Sequence, residues 1–571
     1  VKKRKTLHKK KSDVLAQKPD IFDRLNKYFN TKLNLVFWLS MAIALVVSLL
    51  MFDTKVSIGG DDSEYIIGAK KFLEGTKFPS WHGSFYPIFL SFFTLIFGVN
   101  VVLFKIISIP LMLGHHFFMF KSFKQRVPSF VLVITLLVLA LNAHILYFSS
   151  STYSEAMFFF LQGLAFYVFY LLDDKINQGL GLKENWKNWL AFGFVMFLLF
   201  LSRNVGLGLI IAAVLYFLLN KKWMASLYTI ASFLVFQLPF ILYKKLVWGI
   251  VGSGAESQFR TMFFKHFYDR SQGTEDFIGF LTRVWDNSLL YLSKHLYIII
   301  GFKPLGSSDT SAFLVILTYI LFFAALYFIF KNHKQLFFVG IYLSVMIGAT
   351  FVSQQKHWDQ YRLILIYVPL IVLFISFGFY SLLKTKYLKA LQIILVVFLF
   401  ALPLINLNQS IDQIKTNLPG LEKNMKGNTL YGFTPDWYNY IEMCRYAAKS
   451  VPEDAGIACR KPNIASIYSD GRNFEGFYRV PSQNADTLLM KFEKRNIKYV
   501  VIASLRINPK MKTERTINTI KNYLYFIQQK YPQIFRQVHS IGSDEKAYLI
   551  EIIWKNKSIV NPDAGKEKAK N

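Results

Sequence analysis

The chain of 571 residues is 53% hydrophobic and 17% aromatic, and its net charge is +31. So much apolar content, arranged in long blocks, exceeds the need of a soluble core and predicts a polytopic α-helical membrane protein. The positive charge does not indicate nucleic-acid binding, because basic residues crowd the N-terminus and recur in short loops between the apolar blocks, where they orient membrane helices.

The first apolar block, Leu35–Phe52, has 18 residues and no charge, which is enough for a transmembrane helix. Residues 1–33 before it form a basic tail that we expect on the cytoplasmic side. No cleavage-site pattern follows the block, so we interpret it as a retained signal anchor. The helix then delivers the acidic sequence GGDDSEYI to the extracytoplasmic face.

The second apolar piece, Phe85–Phe97, has only 13 residues and is predicted to lie at the membrane interface rather than to span. If it spanned, the basic loop at 121–126 would lie outside, and every later loop would lie on the opposite side of the membrane. If it does not span, all short basic loops fall inside, as the positive-inside rule requires. A second interfacial candidate is Leu289–Gly301.

This topology predicts about eleven transmembrane helices within residues 34–406, with an outer loop at 53–100. After the first helix, the predicted spans cover residues 101–120, 129–147, 156–172, 188–201, 205–219, 223–247, 311–330, 335–352, 363–382 and 388–405.

Residues 407–555 change in character and predict a compact extracytoplasmic α/β domain, followed by a disordered tail at 556–571. Helices are expected over Asp436–Ser450 and Thr513–Lys530, and strands in GIACRK, KYVVIAS and AYLIEII. The two cysteines, Cys444 and Cys459, both fall in this region. A disulfide between them and two unpaired thiols stay open as alternatives.

The predicted topology collects an unusual set of polar residues on the extracytoplasmic face. Its members are Asp61, Asp62 and Glu64 in the first loop, Glu155 in the second, Arg203 in the third, and Lys356, His357, Asp359, Tyr361 and Arg362 in a later one. Taken singly, each has a structural alternative, because charges mark the water boundary at helix ends and an acid can cap a helix. As a set on one face, they indicate a site.

These residue types suit group transfer from a lipid phosphate. A carboxylate beside a groove in the membrane can take the proton of an acceptor hydroxyl or amine. A second carboxylate can orient the first or share a divalent cation with it. Arg, Lys and His side chains can hold a phosphate and stabilise it as it leaves, while the groove between helices would hold the lipid chain.

Several segments resemble one superfamily. DDSEYIIGAKKFLEG, followed by SFYPIFLSFFTLIFGVN, resembles the first outer loop of GT-C fold glycosyltransferases, which include the protein O-mannosyltransferases and the aminoarabinose transferases that modify lipid A. SSSTYSEAMFFFLQGLAFYVFY is similar to the second outer loop, FLSRNVGLGLIIAAVLYFLL to an Arg-containing turn, and DQYRLILIYVPLIVL to an Arg/Tyr turn before a late helix. RYAAKSVPEDAGIACRKPNIASIYSDGR resembles the outer domain of many bacterial members.

The resemblance implies an inverting sugar transfer from a polyprenyl-phosphate donor to a lipid, glycan or protein acceptor, at the extracytoplasmic face of the inner (plasma) membrane. Asp62, three residues before Tyr65, matches the family's catalytic Asp and is predicted as the general base, with Asp61, Glu64 and Glu155 supporting it or binding a divalent cation. The residues predicted to hold the donor phosphate are Arg203, His357, Tyr361, Arg362 and, less directly, Lys356.

Two departures from the family pattern matter. The acidic pair is Asp-Asp where Asp-Glu is commoner, which leaves the choice between Asp61 and Asp62 open. Glu155 stands where several members carry Asp, which weakens the case for a bound metal.

A membrane transporter or lipid-linked sugar flippase is the alternative function. It predicts ionisable residues buried in the middle of transmembrane helices, where they mark a pathway. Lys105, His115 and His116 are the candidates for such a pathway, and helix-end or packing roles also explain them. A non-catalytic scaffold, the third possibility, leaves the converging acids and bases unexplained.

Overall fold

The computed structural model describes residues 19–79, 83–250, 259–266, 272–355, 358–384, 391–478, 480–507 and 516–558. Two predicted site residues, Lys356 and His357, lie outside the described part of the chain. Helices make up almost all regular structure before residue 450, and a mixed β-sheet follows them.

The helices of the N-terminal part form a bundle. They are Ile21–Leu50, Asp61–Leu73, Phe85–Phe97, Val101–Phe123, Ser129–Leu141, Ala143–Leu146, Ser154–Asn177, Leu182–Ser202, Leu207–Leu219, Trp223–Trp248, Phe277–Leu290, Leu296–Ile299, Ala312–Asn332, Lys334–Ser353, Arg362–Leu365, Val368–Leu383 and Gln392–Met425. Short 3₁₀ turns occur at Tyr147–Ser150 and Asn204–Gly206, and a π turn occurs at Tyr291–His295.

Seven of the described helices are long and apolar enough to cross a membrane, and the bent pair Ser129–Leu141 and Ala143–Ser150 gives an eighth candidate. The other predicted spans correspond to Leu182–Ser202, Leu207–Leu219 and Val368–Leu383. The prediction of a polytopic helical membrane protein is therefore confirmed.

Two helices run across predicted domain boundaries. The first begins at Ile21, not near residue 34, because Phe22 is buried and its ring stacks on Phe130. The helix Gln392–Met425 continues past residue 406, where the membrane region was expected to end. Its buried Ser410 donates to the carbonyl oxygen of Leu141 at 2.6 Å, which ties the helix to the bundle.

The segment Phe85–Phe97 is a helix with the predicted bounds. At 1.5 Å per residue it is about 20 Å long, short of the roughly 30 Å hydrocarbon core. Leu289–Gly301 belongs to a longer helical run that begins at Phe277 and passes through the π turn, and its place at the membrane interface stays a prediction.

Short basic loops lie at one end of the bundle. Arg126 pairs with Asp174, and Lys222 pairs with the buried Asp173 at 3.3 Å. A single helix, Ser154–Asn177, joins these two aspartates to the opposite end of the bundle. The structure thus separates basic loops from the acidic loop, as the charge pattern predicts.

The C-terminal part forms an α/β domain, as predicted. Its strands are β1 (Gly456–Cys459), β2 (Glu475–Gly476), β3 (Ile497–Ile502), β4 (Leu505–Arg506), β5 (Thr516–Ile517), β6 (Phe535–Ile541) and β7 (Ala547–Ile552), and its helices are Pro435–Ser450, Pro462–Tyr468, Ala485–Lys494 and Thr519–Lys530. Five strands form one sheet in the order β2-β1-β3-β7-β6, parallel across β2-β1-β3 and antiparallel across β3-β7-β6. Helices cover both faces, with apolar cores around Trp437 on one side and Phe492 on the other.

Details of this domain correct the sequence prediction. The last long helix begins at Thr519 rather than Thr513, because Thr516–Ile517 pairs as β5 with β4. The strand β6 was not predicted, since its sequence FRQVHSI carries a polar majority. Cys444 and Cys459 are both buried as free thiols.

Candidate active site

The acidic helix Asp61–Leu73 begins after a glycine pair. Gly60 has a φ of +95°, in the left-handed region that favours glycine. Its carbonyl oxygen accepts hydrogen bonds from the Ser63 hydroxyl and the Glu64 amide. Consecutive residues of a helix point about 100° apart, so the two aspartates at the start of this helix face different surroundings.

Asp62 faces inward and is 1% exposed. One carboxylate oxygen accepts from the Ser57 amide at 2.6 Å, and the other accepts from the Ser57 hydroxyl and the Ser63 amide. Burial raises the pKa of Asp62 to about 6, against the opposing charge of Lys105 and these hydrogen bonds. Asp62 therefore anchors the segment that precedes the helix.

Asp61 faces a cavity and pairs with the guanidinium of Arg362, which begins the helix Arg362–Leu365. That guanidinium also lies over the ring of Tyr153, 5.4 Å from its centroid. Burial disfavours the charged form of Arg362, but the carboxylates of Glu155 and Asp61 outweigh burial and hold the pKa of Arg362 above its usual range. Two anionic side chains thus stabilise one cation.

Glu155 and Arg203 form a second ion pair in the same cavity. Glu155 lies in the first turn of Ser154–Asn177, Arg203 follows the end of Leu182–Ser202, and their atoms Oε1 and Nη1 are 2.6 Å apart. The second carboxylate oxygen of Glu155, Oε2, is buried and has no hydrogen-bond partner within the described residues.

The cavity has a volume of about 430 Å³, a size typical of small-molecule sites. Four segments that are distant in the sequence supply its charged members, Asp61, Glu155, Arg203 and Arg362. Neutral side chains complete the wall, among them Tyr65, Asn204, Thr261, Gln355, Trp358 and Gln360. Sequence reasoning missed these neutral residues, although Trp358 and Gln360 stand beside the charges of SQQKHWDQYR.

Other predicted residues lie apart from this cavity. Glu64 is exposed and does not line the cavity. Tyr361 lines a neighbouring cavity of about 390 Å³ and contacts the ring of His144 at 5.2 Å between centroids. Asp359 pairs with Lys294 and His295, each at 2.6 Å.

A divalent cation, which the sequence analysis left open, would have to compete with two arginines for the carboxylates of the cavity. Each of the two cavity carboxylates, Asp61 and Glu155, already pairs with an arginine. Over the described ranges, no group of three or more His, Cys, Asp or Glu residues could hold a metal ion. Two guanidinium groups beside two carboxylates suit an incoming phosphate better than an incoming metal.

Comparison with solved structures identifies the fold. The chain is similar to ArnT from Cupriavidus metallidurans bound to undecaprenyl phosphate, with a TM-score of 0.52, 11% identity, and coverage of 90% of this chain and 97% of that one. It is also similar to the oligosaccharyltransferase of Archaeoglobus fulgidus in its complex with Zn and sulfate, with a TM-score of 0.51, 14% identity, and coverage of 81% and 68%.

A second structure of that oligosaccharyltransferase, tethered through a disulfide bond to an acceptor peptide containing the NVT sequon, gives a TM-score of 0.51 at 14% identity, over 90% of this chain and 73% of that one. No protein-family model and no curated protein matches the chain. At these identities the likeness shows the fold, which is the GT-C fold expected from the sequence.

Proposed function

We propose that this GT-C fold chain is a glycosyltransferase that moves a sugar from a polyprenyl-phosphate donor to a hydroxyl or amine of a lipid, glycan or protein acceptor. The reaction takes place at the extracytoplasmic face of the inner membrane and inverts the anomeric centre. Asp61 is the general base, and Arg362 and Arg203 hold the donor phosphate. The observation that carries this proposal is the cavity in which two carboxylates and two guanidinium groups meet.

Two arginines suit the phosphate of the donor. A guanidinium binds phosphate oxygens through paired hydrogen bonds and stays charged at every physiological pH. When the sugar–phosphate bond breaks, the phosphate gains a negative charge, and cations already in place stabilise that charge without reorganisation. The ArnT structure to which this chain is similar is bound to undecaprenyl phosphate, a ligand of the same chemical class.

Exchange of ion-pair partners links donor binding to the base. In the substrate-free cavity, Arg362 neutralises Asp61. An entering phosphate competes for this guanidinium, and the carboxylate of Asp61 is then able to accept a proton. While Asp61 stays ionised, the bound phosphate adds one negative charge to the cavity, and this charge favours uptake of the acceptor's proton by Asp61.

The transfer then proceeds in one displacement. Asp61 takes the proton of the acceptor hydroxyl or amine as the acceptor oxygen or nitrogen attacks the anomeric carbon. The bond between that carbon and the phosphate oxygen breaks on the opposite face, and its electron pair leaves with the polyprenyl phosphate.

Asp61 is a better base than Asp62 in this arrangement. Asp61 lines the cavity, whereas Asp62 is buried beneath it with its oxygens occupied by Ser57 and Ser63. A base must come within hydrogen-bond distance of the proton that it removes, and only a group at the cavity wall meets that condition. Asp62 instead supports the loop.

The test is transfer from a panel of radiolabelled polyprenyl-phosphate sugars in membranes, with label followed into lipid, glycan and protein fractions. Asp61→Asn keeps the volume and removes the base, so transfer falls by about 10²–10⁴-fold while the protein still binds polyprenyl phosphate. Glu74→Gln, at the exposed end of the same helix, is the matched control and keeps full activity.

Three outcomes would contradict parts of the proposal. If Asp62→Asn abolishes transfer and Asp61→Asn does not, the base has been wrongly identified. If the double change Arg203→Met and Arg362→Met leaves donor binding unchanged, the arginines are not the phosphate site. If wild-type membranes consume none of the donors but move lipid-linked sugars between leaflets, the flippase alternative replaces the transferase.

A further inference from the structure

The segment 56–60, which leads into the acidic helix, lies between the helical bundle and the C-terminal domain. On the bundle side, Ser57 donates to Asp62 from its amide and its hydroxyl, and its hydroxyl also contacts the Tyr153 hydroxyl at 2.7 Å. On the other side, the segment meets one short helix of the C-terminal domain, Pro462–Tyr468. Both ends of that helix contact the segment.

Lys461 precedes the short helix and reaches the glycine pair. Its ammonium group donates to the carbonyl oxygens of Ile58 at 3.1 Å and Gly59 at 2.8 Å. The backbone of Lys461 is itself fixed, because the hydroxyl of the buried Tyr440 accepts from its amide and donates to its carbonyl oxygen. The side chain of Lys461 therefore extends from a fixed position of the backbone.

Tyr468 ends the same helix and contacts the start of the segment. Its hydroxyl accepts a hydrogen bond from the amide of Val56 at 3.1 Å. The Lys461 contacts thus lie two and three residues beyond the Tyr468 contact on the segment, while the two side chains are seven residues apart in the C-terminal domain. A clamp with two separate points fixes both position and orientation.

Such a clamp has a physical reason in the sequence. Two adjacent glycines, Gly59 and Gly60, have the largest backbone freedom of any residue pair, and Asp61 follows them directly. Ordering this backbone therefore removes more conformational entropy than ordering other residues would, and contacts from outside the segment offset that loss. Without Lys461, the carbonyl oxygens of Ile58 and Gly59 would also lose their charged donor, and charge-assisted hydrogen bonds are stronger than neutral ones.

We propose that Lys461 and Tyr468 are positioning residues of the cavity, which hold the segment 56–60 so that Asp61 faces the substrate. The C-terminal domain then contributes to the activity of the site, because two of its residues hold the segment that carries Asp61. This inference rests on the proposed transfer reaction for its activity readout, but the position of the segment can be measured without any reaction.

The first test is amide hydrogen exchange of the full-length protein in detergent micelles. Tyr468→Phe removes the acceptor of the Val56 amide, and Lys461→Met removes the donor to the glycine pair, so exchange of peptides covering 53–60 rises at least several-fold. Lys461→Arg keeps a charged donor and restores protection. The matched controls Lys498→Met and Tyr525→Phe change exposed side chains of the same domain and leave this segment protected.

The second test separates kcat from KM in the transfer assay. A misplaced base lowers kcat, by about 10- to 100-fold, while the arginines still bind the donor, so the Kd for polyprenyl phosphate stays at the wild-type value in Lys461→Met. Lys461→Arg recovers most of the lost kcat. A merely structural role would lower the amount of folded protein and leave kcat per folded molecule unchanged.

The outcomes distinguish this inference from the proposed function. If hydrogen exchange of 53–60 is the same in Lys461→Met, Tyr468→Phe and the two controls, the inference is wrong, whatever the activity. If exchange rises as expected but the wild type transfers no sugar, the clamp stands and the transferase proposal fails. If exchange rises and kcat does not fall, the clamp does not position Asp61, and the inference is overturned.

Discussion

Glu155 and Arg203 form the more deeply buried of the two ion pairs in the cavity, with side chains 2% and 19% exposed. Two charges removed from water stabilise a protein only weakly as a pair, but one of them left alone is strongly unfavourable. We therefore expect Glu155→Gln to lower the free energy of unfolding by about 3 kcal/mol, through the unpaired guanidinium of Arg203.

Thermal unfolding in detergent micelles measures this effect. The matched control is Glu475→Gln, which removes one partner of the exposed pair Arg495–Glu475, where both side chains are 49% exposed. Exposed pairs contribute less than about 1 kcal/mol, so this variant unfolds close to the wild-type temperature. The same unfolding temperature for Glu155→Gln and Glu475→Gln would mean that Arg203 is not buried against Glu155.

Asp62 makes stability depend on pH. Burial raises its pKa from 3.8 to about 6, so between these values the folded protein holds a proton that the unfolded chain has released. The contribution of Asp62 is therefore fully present below the unfolded pKa and is lost as the pH rises through about 6, by an amount on the order of 3 kcal/mol.

Asp62→Asn removes this titration, and the comparison of unfolding temperatures between pH 4 and pH 7 isolates it. The wild type loses stability relative to Asp62→Asn as the pH rises through this window. Asp454→Asn, whose side chain is 73% exposed, follows the wild type. Parallel curves for wild type and Asp62→Asn would show that Asp62 is not held in a desolvated place.

At the scale of elements, the loop before Arg362 is held by the π turn Tyr291–His295. The Tyr291 hydroxyl donates to the carbonyl oxygen of Trp358 at 3.0 Å, and Asp359 pairs with Lys294 and His295. π turns inside helices are rare overall, but those that do occur are often found at functional sites. Here the turn fixes a loop that supplies Trp358, Gln360 and Arg362 to the cavity wall.

We expect Asp359→Asn to raise the KM for the donor about tenfold, because Arg362, the proposed phosphate ligand, is no longer fixed in place. The kcat changes less, since Asp61 lies on another element. Asp309→Asn, in an exposed loop, is the control for loss of one surface carboxylate. An Asp359→Asn variant with the KM of this control would exclude a positioning role for the π turn.

Elements that are marked by a clear run or repeat of apolar residues could be predicted from the sequence. Elements whose place depends on contacts with distant parts of the chain could not. Phe85–Phe97 has the predicted bounds because glycines and a polar segment end its apolar run. The strand β6 lacks such a pattern, and its place beside β7 is decided by pairing. The helix Gln392–Met425 continues past residue 407, where the sequence changes from apolar to polar. Backbone hydrogen bonds hold the helix together on both sides of this change, so composition does not mark its end.

At the scale of the whole molecule, four charged residues singled out in the sequence line one cavity, while their catalytic and binding roles stay predictions. Counting the predicted membrane crossings was sufficient to predict Asp61, Glu155, Arg203 and Arg362 on the same side of the membrane. Which of two adjacent aspartates faces the cavity depends on the rotation of one helix, and the family resemblance, which suggested Asp62 but left Asp61 open, does not fix that rotation. The contact of Lys461 with the glycine pair joins residues about 400 positions apart, which no local pattern reveals.

The arrangement of charge between the two ends predicts orientation in the membrane. Basic loops lie at one end of the bundle, and the cavity and C-terminal domain lie at the other, so the positive-inside rule places the cavity outside. The native cysteines are both buried, which permits labelling of introduced cysteines. In intact cells, a membrane-impermeant maleimide should label Lys494→Cys in the C-terminal domain but not Lys183→Cys at the basic end.

Lys183 and Lys494 are both exposed, so accessibility within the protein does not limit either reaction. Lysis of the cells should make Lys183→Cys as reactive as Lys494→Cys, which controls for expression and folding. The reverse labelling pattern would place the cavity, and with it the proposed base Asp61, on the cytoplasmic side. It would exclude an extracytoplasmic transfer while leaving the fold unchanged.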